Sequence, residues 1–263
     1  MRLGFIGAGN MAQAMIGGIL AKEIVKKEDI IASAATQNTI DKVAKEFGIN
    51  VTLDNREVAK ADIIFLAVKP FYYEEVIDGI KDVVDEKQLI ISVAAGKSVE
   101  WVENAFGGKK KIVRIMPNTP ALVGEAVTAI CPNANITDGE KQEIVELIAS
   151  FGLAQIVSEK IMDAVIAVSG SSPAYVFMFI EAMADAAVAE GMPRVQAYQF
   201  AAQSVLGSAK MVLETGKHPG ELKDMVCSPS GTTIEAVKVL EEKGFRSSII
   251  EAMSACADKS RNM

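Results

Sequence analysis

The stretch from Leu3 to Met15 constrains this chain more than any other. Leu3-Gly4-Phe5-Ile6 is a short apolar run of the kind that forms a buried parallel strand. Gly7-Ala8-Gly9-Asn10-Met11-Ala12 comes next as G-x-G-x-x-A, and an Ala/Met/Ile-rich helical stretch runs on from about Asn10 to Lys22. Each small residue has a task. Gly7 permits the tight turn out of the strand, Gly9 lets the backbone approach a pyrophosphate, and Ala12 allows close packing of helix on strand. The helix start offers free N–H groups and a partial positive charge to phosphates. Strand, glycine turn and helix in this order predict a dinucleotide-binding unit at the head of the chain.

Strand and helix signals alternate from there to about residue 157. Strands are expected over 29–33, 51–53, 62–68, 88–93, 111–116, 126–131 and 154–157. Helices are expected over 39–47, 71–84, 99–106 (capped by Ser98) and 138–151, with Asn55 in a loop. This alternation predicts an α/β fold with a Rossmann-type doubly wound parallel sheet, whose ligands sit beyond the carboxyl ends of the strands. Lys69-Pro70, Ala94-Ala95-Gly96 and Pro117-Asn118-Thr119-Pro120 all fall at such ends, so together they can line one cleft.

The end of the second strand bears on which dinucleotide is taken. An Asp or Glu there would bind the adenosine ribose hydroxyls, yet the chain has Ser33-Ala34-Ala35-Thr36, and Asp41 is already inside the helix. These small and hydroxyl side chains leave room for a 2′-phosphate. NADPH is therefore expected ahead of NADH, with dual use the alternative, although no Arg stands ready to clamp the phosphate.

Beyond about Ser158 strand signals vanish, which divides the 263 residues into 1–158 and an all-helical 159–263. Two insertions stand out there. Ser169-Gly170-Ser171-Ser172-Pro173-Ala174-Tyr175 reads equally well as a site or as a capped helix start. Cys227-Ser228-Pro229-Ser230-Gly231-Thr232-Thr233 gathers hydroxyls and backbone N–H groups at another helix start, a cradle suited to a carboxylate. The Phe177, Met178, Met183 stripe reads as core or subunit contact.

Composition narrows the chemistry. A formal net charge of -7 disfavours nucleic acid and anionic membrane surfaces as partners. The most apolar region, 164–192, is interrupted by Gly170, Pro173, Glu181, Asp185 and Glu190, so no membrane helix is expected and a cytoplasmic location is the default. Three scattered cysteines and one histidine offer neither a disulfide framework nor a metal site. The single His218, just before Pro219, is expected to hydrogen-bond its turn rather than to act as a general acid. Lys69 is expected to serve through its backbone.

Taken together, several segments resemble the pyrroline-5-carboxylate reductases of proline biosynthesis. They are FIGAGNMA (5–12), LAVKP (66–70), SVAAG (92–96), RIMPNTP (114–120), SGSSPAY (169–175), HPGELKD (218–224), CSPSGTT (227–233) and GFRSSIIEA (244–252). The resemblance covers nearly the whole chain in order. It implies a Rossmann domain followed by an all-α dimerisation domain, and homodimers that assemble into larger rings such as decamers. It implies NAD(P)H-dependent reduction of the cyclic imine 1-pyrroline-5-carboxylate to L-proline. On the cofactor it places Ile6, Gly7, Ala8, Gly9, Asn10 and Met11 at the pyrophosphate, and Ala34 and Asn55 near the adenosine ribose or 2′-phosphate. Ala67, Val68, Lys69, Pro70, Ala94, Ala95 and Gly96 fall on the nicotinamide side. It gives Ser228 and Thr232 to the substrate carboxylate and Thr233, as catalytic residue, to the ring nitrogen; no metal is implied. Such an imine is readily protonated, which agrees with the scarcity of histidine. A hydroxyacid dehydrogenase is a weaker match: its catalytic Lys falls early in the helical domain, where only Lys160 stands, ahead of SGSSPAY. A non-catalytic relative that kept the fold would be expected to lack the hydroxyl loop. Two departures stand out: Ser172 and Ser230 occupy positions where the family has Gly, and Ser is strained wherever φ must be positive.

Overall fold

The computed structural model describes residues 1–262, which form two compact units: residues 1–171 with 257–262, and residues 172–256. The first unit is built on eight strands: β1 (Leu3–Ile6), β2 (Ile30–Ser33), β3 (Asn50–Thr52), β4 (Ile63–Leu66), β5 (Leu89–Ser92), β6 (Lys111–Met116), β7 (Ala126–Pro132) and β8 (Gly152–Ile156). Their order across the sheet is β3-β2-β1-β4-β5-β6-β7-β8. Around them lie helices α1 (Asn10–Ala21), α2 (Gln37–Phe47), α3 (Asn55–Val58), α4 (Tyr73–Ile80), α5 (Val99–Ala105), α6 (Asp138–Ile148) and α7 (Met162–Val165).

The central strands are apolar at successive positions because both faces are covered. Leu3, Phe5, Ile63, Phe65, Ile91, Val113 and Ile115 face one core with α1 and α6. Ile6, Ile64, Leu66, Ile90 and Ile112 face the other with α4 and α5. Phe5 and Phe65 stack across β1 and β4 with ring centroids 4.4 Å apart. Each such side chain, fully buried, contributes about 1.5–3 kcal/mol.

The sheet departs from the all-parallel expectation at one seam. β6 and β7 are antiparallel, and β8 then runs parallel to β7. The cause is length: residues 117–125 are fewer than the dozen or so that a crossover needs, so the chain turns straight back. Asn55, expected in a loop, instead opens the short helix α3 behind an Asp54 cap. Thr137 caps α6 in a reciprocal capping box with Glu140.

The first compact unit reaches to Ser171. Residues 159–170 stay with the sheet because they are tied to it. Glu159 Oε1 accepts from Arg114 Nη1 at 2.8 Å and from the Val99 backbone N–H at 2.9 Å. Met162 is buried among Met116, Ala129 and Cys131. Asn118 Nδ2 donates to Ser169 O at 3.1 Å.

The second unit holds α8 (Ser172–Ala189), α9 (Arg194–Thr215), α10 (Pro219–Val226), α11 (Thr232–Glu242) and α12 (Phe245–Arg261), whose last turns belong to the first unit. Its buried hydrophobic set is small: Ala184, Ala197 and Ala201. Phe177, Met178, Phe200, Leu213, Val226 and Ile250 are all exposed. The expected breaks at Gly170 and Pro173 do not interrupt the helix. Gly170 lies in a π-turn closed by Ser171 N–H on Ile166 O, and Pro173 falls in the first turn of α8, where its missing N–H costs nothing. The resulting run, Glu159–Ala189, is long and apolar enough to cross a membrane by length and composition.

Tyr73 is fully buried, and desolvation pushes its phenol up to about 12. The neutral phenol is the form the fold stabilises. That stability is complete below pH ~10, where unfolded tyrosine titrates, and is lost as pH rises through about 12, at up to ~1.4 kcal/mol per pH unit. Alkaline denaturation curves should show this slope, and Tyr73→Phe should remove its share.

Candidate functional site

Strand order reverses at β1: β2 lies on one side and β4 on the other, which opens a crevice at their carboxyl ends. A cleft of about 750 Å³ occupies it. Gly7 to Met11 form its floor, Ala34, Ala35 and Thr36 one side, and Ala67 to Pro70 with Val93, Ala94 and Ala95 the other.

Backbone geometry explains the two fingerprint glycines separately. Gly7 has φ +96°, and a Cβ there would lie 2.7 Å from Ala67 O and 2.8 Å from Val68 Cγ1. The protein itself forbids a side chain at this position. At Gly9 a Cβ would meet no protein atom within 4 Å, so the fold itself does not require glycine there. Gly9 is the N-cap of α1, no side chain caps the helix, and its first turn carries no acid. The uncapped N–H groups and the helix dipole face the cleft, an arrangement that fits a pyrophosphate.

Most of the expected cofactor positions line this cleft, and three do not. Ile6 is fully buried and points into the core against α4 and α5. Asn55 is not among the lining residues; its Oδ1 accepts from Ser33 Oγ at 2.6 Å, which ties the start of α3 to the end of β2. Gly96, at φ +73°, belongs to the turn that leads on to Ser98 and α5. Thr39, Tyr72, Met116 and Leu122 line the cleft without having been expected there. Met116 sits at a legible strand end; the other three depend on which face of a helix or turn meets the crevice.

Several motif side chains build rather than bind. Arg114 is 7 % exposed and is held by Glu159. Asn118 Oδ1 accepts from Val127 N–H at 3.0 Å. Ser169 Oγ donates to Val165 O at 2.8 Å. His218 caps α10, its Nδ1 accepting from Gly220 N–H at 3.1 Å, so the lone histidine serves its turn. Cys131 is buried in β7 and donates to Val157 O, and burial pushes its thiol up to about 11.

In the second unit the loop between α10 and α11 is a tight turn closed by Gly231 N–H on Ser228 O at 3.1 Å. A Cβ on Gly231 would lie 2.4 Å from Ser228 Oγ. Gly231 is the N-cap of α11 and provides no side-chain cap, so the N–H groups of Thr232 and Thr233 are presented beside their hydroxyls; Glu235 stands further along the first turn. Ser230 adopts φ +57°, the left-handed region that costs a side-chain-bearing residue about 1 kcal/mol. Ser172, by contrast, opens α8 and is not among the residues with positive φ.

Two family models match the chain. Residues 159–263 match pyrroline-5-carboxylate reductase dimerisation, and residues 2–96 match NADP oxidoreductase, coenzyme F420-dependent. The pyrroline-5-carboxylate reductase of Escherichia coli K12 is 51% identical over 263 residues, covering all of this chain and 98% of the relative. That of Methanosarcina acetivorans is 43% identical, over all of this chain and 97% of the relative. Among solved structures, the Coxiella burnetii pyrroline-5-carboxylate reductase superposes with a TM-score of 0.92 at 35% identity, covering 99% of this chain and 97% of the other. The Plasmodium falciparum pyrroline carboxylate reductase with NADP bound superposes at 0.90 with 34% identity, covering 100% and 97%.

The two glycines should separate in experiment. Gly7→Ala should destabilise the protein by about 3 kcal/mol or more through clash and strain. Gly9→Ala should leave the melting temperature within about 3 °C and weaken dinucleotide binding by roughly 10-fold or more, read by thermal scan and fluorescence titration. Ser230→Gly should raise stability by up to about 1 kcal/mol, whereas Ser230→Ala, which keeps the Cβ, should not.

Proposed function

Because the chain belongs to the pyrroline-5-carboxylate reductase family, we propose that the crevice at β1 and β4 seats NADPH and that the Cys227–Thr233 loop holds the substrate carboxylate. The chain is an NADP-type oxidoreductase that reduces 1-pyrroline-5-carboxylate to proline. The observation that carries the cofactor reading is the uncapped start of α1 beneath Gly9, where a side chain would collide only with a ligand.

When bound, the dinucleotide supplies the hydride. The chain's own work is to bind, orient and exclude water. The adenosine end falls to the β2 side of the fingerprint. There the first turn of α2 holds no acid, and Ala34 and Ala35 leave space for a 2′-phosphate at the helix start. This supports NADPH ahead of NADH. The hydride-donating ring falls to the β4 and β5 side. The backbone N–H groups at the start of α11, with Ser228 and Thr232, hold the substrate carboxylate. Thr233 accepts from the ring nitrogen as it becomes a secondary amine. The substrate iminium is already electrophilic, so the protein needs no strong acid, in keeping with a single histidine committed to a turn.

We read the exposed apolar helices of residues 172–256 as a contact between two copies, since three buried alanines cannot hold such a unit together alone. Homodimers, further assembled into rings such as a decamer, are the state that covers them, and this occupant also accounts for the apolar Glu159–Ala189 run without a membrane. A cytoplasmic location accords with this reading.

The test is NADPH and NADH oxidation measured side by side with pyrroline-5-carboxylate, with proline assayed as product. Fast proline formation with NADPH favoured supports the reading; binding without turnover overturns it. Ala35→Asp should shift the NADPH:NADH ratio toward NADH by about 10-fold or more. Thr233→Ala should lower kcat by about 10–100-fold, with Thr233→Ser retaining most activity.

A further inference from the structure

The carboxyl ends of β4 and β5 are held apart by a side chain that does not reach the cleft. The ladder between them ends at Leu66 and Ser92. The next backbone contact, Val93 N–H on Leu66 O, is stretched to 3.4 Å. Into this gap projects the hydroxyl of Tyr73, from the first residue of α4. It donates to Leu66 O at 2.5 Å and accepts from Val93 N–H at 3.1 Å and from Ser92 Oγ at 3.2 Å. One donor and two acceptor positions exhaust what a phenol has. The residues just beyond these contacts, Ala67 and Val68 on one strand and Val93 and Ala94 on the other, line the cleft.

Resting on the cofactor placement above, we propose that Tyr73 is a positioning residue for hydride transfer: its hydroxyl sets the spacing of the segments leaving β4 and β5, and so the seat of the hydride-donating ring. The group is buried and fully bonded, and its phenol stays neutral far above physiological pH, so it acts as a strut and not as a proton donor. Its ring is braced from behind by Trp101, centroids 6.4 Å apart, over which Lys97 Nζ sits at 3.7 Å. Removing the hydroxyl leaves Leu66 O and Val93 N–H to their long mutual contact and lets the two segments drift. Misplacement of this order slows a step that depends on near-attack geometry.

The experiment is steady-state kinetics of the full-length protein with Tyr73→Phe, using NADPH and NADPH deuterated at the transferred position. A fall in kcat of about 5–30-fold is expected, with KM for the imine within about twofold and a raised primary isotope effect. Ile77→Val, a buried change on the same helix, should lower stability while leaving the isotope effect unchanged. The proposal is overturned if Tyr73→Phe leaves kcat and the isotope effect at wild-type values, or if Ile77→Val reproduces the change. Should Tyr73→Phe fail to fold, Ser92→Ala decides: a smaller loss of kcat with a raised isotope effect supports the strut, and no change overturns it. If the wild-type protein does not reduce the imine, the functional reading has failed on its own. The strut is then judged by NADPH affinity of Tyr73→Phe through fluorescence of Trp101, the single tryptophan: about fivefold weaker binding supports it and equal binding overturns it.

Discussion

At position 7 there is no room for a side chain, and the crevice depends on that. The backbone of β1 turns at Gly7 directly against the carbonyl of Ala67 as it leaves β4, with a hydrogen bond from Ala67 N–H to Ile6 O at 2.8 Å and another from Gly7 N–H to Ser33 O at 3.1 Å. Three strand ends are thereby fixed within one turn of each other. The helix that starts at Asn10 inherits its direction from this junction, and its uncapped N–H groups face the cleft because of it. A larger residue at position 7 would separate β1 from β4 and move the floor of the site.

The motifs that make the chain recognisable divide by physical role. Gly9 and Gly231 are the N-caps of α1 and α11, and neither helix start is capped by a side chain, so their first backbone N–H groups are left open. Arg114, Asn118 and Ser169 satisfy buried or partly buried carboxylate and carbonyl groups of the fold, and His218 caps an exposed helix start. A buried polar group without a partner costs about 1–3 kcal/mol, so these residues are fixed by the fold as tightly as others are by a ligand. A chemically attractive side chain in a motif is therefore not by itself a site residue. Ser230 is the opposite case, because it sits in a left-handed conformation that glycine would adopt without strain.

The two units bury apolar surface in different ways. The first encloses two well-filled layers on either face of its sheet. Residues 172–256 bury three alanines and expose large apolar side chains along α8, α9 and α12. Small residues let α8 and α9 approach closely, while the large ones are left on the outside. Exposed apolar surface of this extent suits contact with a second copy, as proposed above.

The sequence alone determined the α/β class, the change to all-helical structure, the fingerprint and the hydroxyl loop. Each of these is a local pattern, carried by glycine placement, hydrophobic period and helix start chemistry. The features it left undecided depended on neighbours distant in sequence. The reversal of β7 came from a connection too short to cross over, and the extent of the first unit to Ser171 from Glu159 and Asn118 reaching partners 45 and 51 residues away. Asn55 and Ile6 left the cleft because one strand end needed a hydrogen-bond partner and one core needed a side chain. The role of Tyr73 was invisible as well, since three of its bonds exist only where two strands end side by side. Local pattern sets which elements form; packing and polar satisfaction decide which faces they turn to the ligand.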